Sequence, residues 1–240
     1  MSAPKQSWFF FRGLVRESGH WAGFLERFAA AFPEREPVAL DLPGNGRRFS
    51  ERSPISVSAM AEAARAEFLE RRKESNHLFA LSLGGMVGLE WIKRWPEDFQ
   101  SAVLVNTSVR GLSPFYHRLR PANYARILGM FLNADPVRVE HGILEITSSR
   151  PEKHVAVAEE WIRIHRERPV SVANAARQLL AAARFHPPKE KLALPILLLN
   201  GASDQLVSPH CSRALADAWG LELRAHPTAG HDLTLDEPEI

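Results

Sequence analysis

A doubly wound, mostly parallel α/β sheet with a helical insertion is the predicted fold, and three observations predict it. Short, uninterrupted apolar runs recur at 8–11, 78–81, 102–105 and 196–199, each reading as a strand buried on both faces. Segments of helical period separate the early runs, the alternation that yields parallel strands with helices on both sides. From 109 to 190 that rhythm stops: buried-strand runs disappear, and helical patterns broken by Pro114, Pro121, Pro136, Pro151 and Pro169 take over. The reading is one domain over 1–240, with a core of 1–108 and 191–240 and a helical lid insertion at 109–190. A chain of 240 residues buries such a core without staples.

Trp8-Phe-Phe-Phe11 is the first strand, and Arg12-Gly13-Leu14 turns out of it. Trp21, Phe24, Leu25, Phe28 and Phe32 then fall at helical spacing, an amphipathic helix. Residues 37–41 form the next strand, followed by Leu42-Pro-Gly-Asn-Gly46; without a third glycine opening a helix, this is a tight loop, not a nucleotide cradle. Ser56 or Ser58 caps a helix to about residue 72, with Met60, Ala64 and Phe68 facing inward. The segment 77–90 reads as strand, sharp turn at Ser82, then a helix carrying Met86, Leu89 and Ile92 that stops at Pro96. A strand at 102–106 follows. In the insertion, Tyr124, Ile127, Leu128 and Phe131 form one apolar stripe. Val157, Trp161, Ile164 and His165 form a second, and Val172, Ala176, Leu179, Leu180 and Ala183 a third. Beyond Pro187-Pro188 the sheet resumes at 195–200, with Gly201-Ala-Ser-Asp204 at the carboxyl end of the strand, where open α/β sheets gather functional groups. A helix at about 208–219, a strand at 221–225 and the loop Thr228-Ala-Gly-His231-Asp232 complete the order.

Composition places few demands on function. Hydrophobic residues at 45% and charged residues at 24% describe an ordinary globular protein. The single cysteine, Cys211, excludes an internal disulfide and a cysteine-based zinc site, and points to a reducing, cytoplasmic setting. It follows His210, but inside a helix it reads as a packed thiol. The apolar run ending at Arg12 is too short for a signal-peptide core or a membrane span. No metal or organic cofactor is implied, and a net charge of +2 gives nucleic-acid binding no support. The insertion does carry an excess of positive charge, 11 Arg and 2 Lys against 8 acidic residues.

The chemistry centres on Ser82. A strand running directly into a helix brings two backbones nearly into contact, so the positions two before and two after the turn must be small; here they are Ala80 and Gly84. A serine hydroxyl needs a base to take its proton, and His231, in a glycine-flanked loop after the last strand, is the candidate. Asp204 is placed to accept the other imidazole N–H; Asp232 and Asp236 are rivals, but a sequence neighbour of His231 does not reach round to its ring. The backbone N–H groups of Leu14 and Leu83 are the candidate donors to a tetrahedral oxyanion.

The order Ser82, Asp204, His231, with these motifs, resembles the α/β-hydrolases of the single-domain, lidded type. The similarity covers nearly the whole chain. Asp41-Leu-Pro-Gly-Asn-Gly46 matches that family's D-x-P-G-x-G loop, Ala80-Leu-Ser-Leu-Gly-Gly85 its nucleophile elbow, Asn200-Gly-Ala-Ser-Asp204 its acid loop and Gly230-His231-Asp232 its histidine loop. Small carboxylesterases, including the pimeloyl-carrier-protein methyl ester esterases, are the members it looks most like. The resemblance implies hydrolysis of a carboxylic ester through an acyl-serine. Thioester cleavage, carbon–carbon lysis and a non-catalytic binding role on the same fold are the alternatives; the lyases usually carry arginine where Met86 stands. Two departures are visible. Arg12 replaces the family's usual histidine before Gly13, and only nine residues follow His231, so the customary last helix is missing or shortened. Substrate contacts are expected from Arg12, Gly13 and His20 (which otherwise packs or caps), and from Arg118, Arg120 and Arg126. Those last three would also dock an acidic acyl carrier protein on the lid.

Overall fold

The computed structural model describes residues 6–133 and 135–239; both ends of the 1–240 span and position 134 of the insertion lie outside the described residues. Its strands are β1 (Gln6–Phe11), β2 (Arg35–Leu40), β3 (Ser75–Leu81), β4 (Ser101–Val105), β5 (Ile196–Gly201) and β6 (Glu222–His226). They form one six-stranded sheet in the order β2-β1-β3-β4-β5-β6. Every pairing is parallel, with registers such as Phe11 opposite both Leu40 and Ala80. Phe9, Phe10 and Phe11 are all fully buried, as an apolar run in a doubly covered strand requires.

Helix α1 (Phe24–Ala31) packs on one face of the sheet, where Phe10, Phe79, Leu81 and Leu199 meet Trp21 and Phe24. Helices α2 (Val57–Arg71) and α3 (Leu83–Arg94) cover the opposite face, together with α9 (His210–Trp219), against Phe9, Phe11, Leu78 and Leu104. The expected cap of α2 is Ser56, whose hydroxyl accepts the Ala59 N–H at 3.3 Å. The helix read from Trp21 starts later, at Phe24. A 3-10 turn (Ser18–Trp21) comes first, and Ala22 and Gly23, both at positive φ, separate the two. Trp21 is thereby freed to pack edge-on against Phe10, with ring centroids 5.4 Å apart.

Between β4 and β5 lie α4 (Phe115–Arg118), α5 (Tyr124–Leu132), α6 (Pro136–Thr147), α7 (Val155–Glu167) and α8 (Val172–Arg184). A separate apolar cluster of Leu144, Ala158, Trp161 and Ile164 holds α6 and α7 together, and Leu235 of the short α10 (Leu233–Asp236) joins it. Among the described residues no helix is long and apolar enough to cross a membrane.

This topology gathers the functional residues. In a parallel sheet all carboxyl ends point to one edge, so the segments after β1, β3, β5 and β6 emerge side by side. The chain leaves β1 toward β2 on one side and resumes at β3 on the other. The crevice at this switch point is where open α/β sheets take their ligands.

Candidate active site

Ser82 sits between β3 and α3 with φ 58° and ψ −115°, a left-handed-side conformation costly for a residue with a Cβ. Its backbone is clamped: the N–H donates to Val105 C=O at 2.9 Å, and the C=O accepts from the Thr107 hydroxyl at 2.9 Å. Gly84 is obligatory for the turn, because a Cβ there would stand 2.7 Å from the Phe11 carbonyl oxygen and 2.8 Å from that of Arg12. Gly13 crosses directly over the serine, with a hypothetical Cβ 3.1 Å from the Ser82 Cβ and 3.6 Å from its hydroxyl. Leu14 follows in a turn closed by the Arg16 N–H on the Gly13 C=O, and Leu83 opens α3, where first-turn N–H groups have no intrahelical acceptor.

Asp204 and His231 meet as the sequence suggested. The Nδ1 of His231 lies 2.7 Å from one Asp204 carboxylate oxygen, and both side chains are buried. The other oxygen accepts the N–H groups of Leu206 and Val207 at 2.8 and 2.9 Å, which fixes the carboxylate plane. Neither rival acid touches that imidazole. Asp232 pairs with Arg12, while Asp236 accepts from Ser148, Ser149 and the Gly230 N–H and so ties the histidine loop to the end of α6.

A cavity of about 420 Å³ is lined by Gly13, Ser82 and His231 together with Arg12, Arg16 and His20. Ile127, Met130, Phe131, Ile143 and Leu179 of α5, α6 and α8 make an apolar wall for it, so these stripes do more than pack helices together. The opposite side is charged. Arg12 donates both terminal nitrogens to the Asp232 carboxylate, at 3.1 and 2.5 Å, and its guanidinium stands 4.8 Å from the centre of the Trp21 ring. Burial alone would raise Asp232, but the Arg12 charge and hydrogen bonds outweigh it and hold the carboxyl below the usual range. Arg16 donates to Glu140 at 2.6 Å, and Glu140 also contacts His165 Nδ1 at 2.8 Å. His20 Nδ1 accepts the Glu17 N–H at 2.9 Å, and burial, then Arg16 and Arg12, push its pKa well below the ordinary value, so the ring is neutral.

The remaining expected substrate contacts divide. Arg118 reaches the cavity but spends its terminal nitrogens on the Ala182 and Ala183 carbonyls at the end of α8. Arg120 donates to the Asp204 carbonyl at 2.9 Å and braces the acid loop. Arg126 is exposed and pairs with Glu145 at 3.3 Å, which leaves it as the one of these three whose side chain is chiefly presented to solvent. Cys211 is buried, and burial pushes its thiol up to about 11, the behaviour of a packed, unreactive cysteine.

Sequence reading missed two kinds of residue. Asn106, at positive φ after β4, donates to the Gly230 and His231 carbonyls and accepts from the Gly201 N–H, stitching the acid and histidine loops together. A polar residue at the carboxyl end of a buried strand was the available signal. Arg16, Glu140 and Arg168 gave none, because the pairs Arg16–Glu140 and Arg168–Glu17 join residues 124 and 151 positions apart.

The sequence matches the profile of the hydrolase family described as serine aminopeptidase, S33, over residues 2–239. The chain belongs to this family. Among solved structures, a putative non-haem bromoperoxidase from Mycobacterium tuberculosis H37Rv superimposes with a TM-score of 0.78 at 20% identity, covering 99% of this chain and 89% of that one. A thermophilic esterase from Thermogutta terrifontis gives 0.76 at 20% identity, covering 99% and 87%. The esterase RhEst1 from Rhodococcus sp. ECU1013 gives 0.77 at 19%, covering 97% and 86%. At these identities the likeness speaks for the α/β-hydrolase fold. No curated protein matches the chain.

Proposed function

We propose that this family member hydrolyses carboxylic esters through an acyl-serine formed on Ser82. One observation carries the reading: a strained, half-buried serine at a helix start shares its cavity with a histidine whose Nδ1 is held 2.7 Å from a buried carboxylate. The Ser82 hydroxyl attacks the ester carbonyl while His231 takes its proton through Nε2, and Asp204 stabilises the resulting imidazolium. The negative oxygen is met by the Leu14 and Leu83 N–H groups. Collapse of the tetrahedral species expels the alcohol, which receives the proton from His231. Water activated by the same imidazole then releases the acid and restores the serine. Thioesters suit the same steps. The family description names an aminopeptidase, but recognition of a substrate ammonium needs acceptors. Here the pocket-lining side-chain atoms that are buried without a partner among the described residues are Arg12 Nε, Arg16 Nε and Nη2, His20 Nε2 and Arg118 Nε, all donors once His20 is neutral. That favours esters over peptides with free amino termini.

The test is a fluorophosphonate probe with mass-spectrometric site mapping, beside turnover of p-nitrophenyl esters. Ser82→Ala should lose labelling and on the order of 10⁴-fold in rate. Undiminished labelling of the alanine protein would place the nucleophile elsewhere and end the proposal.

A further inference from the structure

Arg16 is 7% exposed and lines the cavity that holds Ser82, yet only one of its three guanidinium nitrogens is used. Nη1 donates to Glu140; Nε and Nη2 have no hydrogen-bond partner among the described residues. Those two nitrogens are the side edge of the guanidinium, the parallel fork that takes a carboxylate in two hydrogen bonds. The Trp161 ring lies against the guanidinium, its centre 4.0 Å from the guanidinium carbon, and leaves that buried edge without a hydrogen-bond partner among the described residues.

His20 adds a donor. Because Nδ1 accepts the Glu17 N–H, the neutral ring carries its proton on Nε2, and that atom is also buried without a partner. His20 and Arg16 both pack on Trp161, the His20 ring edge-on at 5.7 Å between centroids. Unpartnered buried donors are rare because each forfeits its hydration, so a cluster of them in a cavity calls for an acceptor-rich occupant. The turn closed by the Arg16 N–H on the Gly13 C=O places this residue beside the glycine that crosses Ser82.

We infer that Arg16, with His20, forms a carboxylate-binding subsite, so that the preferred ester carries a second, free carboxylate. The inference rests on the ester-hydrolase reading and names its substrate class. A planar monoanion fits the fork better than a phosphate dianion, since Glu140 and Asp232 already stand close to Arg16 and repel added negative charge.

Two ester pairs test it. Mono-p-nitrophenyl glutarate against p-nitrophenyl valerate puts the carboxylate on the acyl side; butyryl glycolate against ethyl butyrate puts it on the alcohol side. The wild type should prefer the charged member of one pair by at least about tenfold in kcat/KM. Arg16→Lys keeps the charge and a partner for Glu140 but has no fork. It should cut that preference about tenfold to a hundredfold, mainly through KM. Binding is read separately by calorimetry of monomethyl glutarate on Ser82→Ala protein, with and without Arg16→Lys, and with inorganic phosphate as the control anion. Equal kcat/KM within both pairs, with no Arg16-dependent binding, overturns the subsite and leaves ester hydrolysis standing. Tighter binding of phosphate than of the carboxylate overturns it as well. If no ester is turned over, the ester reading fails, and the calorimetry alone then decides whether the subsite exists.

Discussion

The buried pair Arg12–Asp232 offers a sharp quantitative test of what holds the site together. Arg12 ends the segment that leads from β1 into the Gly13 turn, and Asp232 directly follows His231, so the pair joins the turn over Ser82 to the histidine loop. The two residues are 5% and 3% exposed. Removing one partner leaves the other as an uncompensated buried charge, which costs about 3–5 kcal/mol, whereas replacing both by apolar groups of similar size is close to neutral. For a chain of this length each kcal/mol moves the melting temperature by roughly 2–4 °C. Arg12→Met or Asp232→Leu alone should therefore lower Tm by about 6–20 °C at pH 7, and the double variant should regain most of it. The pH dependence gives a second reading. In the wild type Asp232 is held below its ordinary pKa, so its contribution is full above the carboxylate range and disappears as pH falls through the folded value. In Arg12→Met the burial that raises this carboxyl loses its main opponent, and the sign reverses: stability should then decline as pH rises. Differential scanning calorimetry from about pH 2 to 8 on the four proteins spans both the acid loss in the wild type and the reversed slope in Arg12→Met. Single-variant losses below about 1 kcal/mol, or additive losses in the double variant, would refute the claim that this pair bolts the two loops.

Two further expectations follow from particular contacts. Gly13→Ala inserts a methyl group 3.1 Å from the Ser82 Cβ, so the protein should fold with Tm within a few degrees while ester kcat falls at least about tenfold; unchanged kcat would mean that Gly13 does not border the reacting oxygen. His20 is depressed below its unfolded value of about 6.5, so its contribution to stability is complete above that pH and is lost as pH falls beneath it. One such group changes stability by at most about 1.4 kcal/mol per pH unit, or roughly 3–5 °C in Tm. His20→Asn should flatten the wild-type Tm profile below pH 6.5, and parallel profiles for the two proteins would contradict the assignment.

Local pattern was enough to read the strands, the elbow and the three-residue order in this chain. Apolar runs such as Trp8-Phe-Phe-Phe11 and Leu78-Phe-Ala-Leu81 carry their burial in their own composition, and a strand-to-helix turn demands small residues at known offsets, here Ala80 and Gly84. Because parallel strands of one sheet all end at one edge, placing Ser82, Asp204 and His231 each just after a strand already implied that they gather at that edge. The charged wall of the cavity was not legible in the same way. Arg12 reads as a substitution for the family's usual histidine until the fold brings Asp232, 220 positions away, onto its guanidinium. Arg16 is an ordinary polar loop residue until Glu140, Trp161 and the Gly13 turn enclose it. The three arginines at the start of the insertion look alike in sequence, yet packing turns Arg118 and Arg120 inward onto backbone carbonyls and leaves Arg126 outside. Strand burial and turn geometry depend on neighbours within a few residues, so sequence encodes them directly. The partner of a buried charge is set by which distant segments the fold stacks together, and only the tertiary structure decides that.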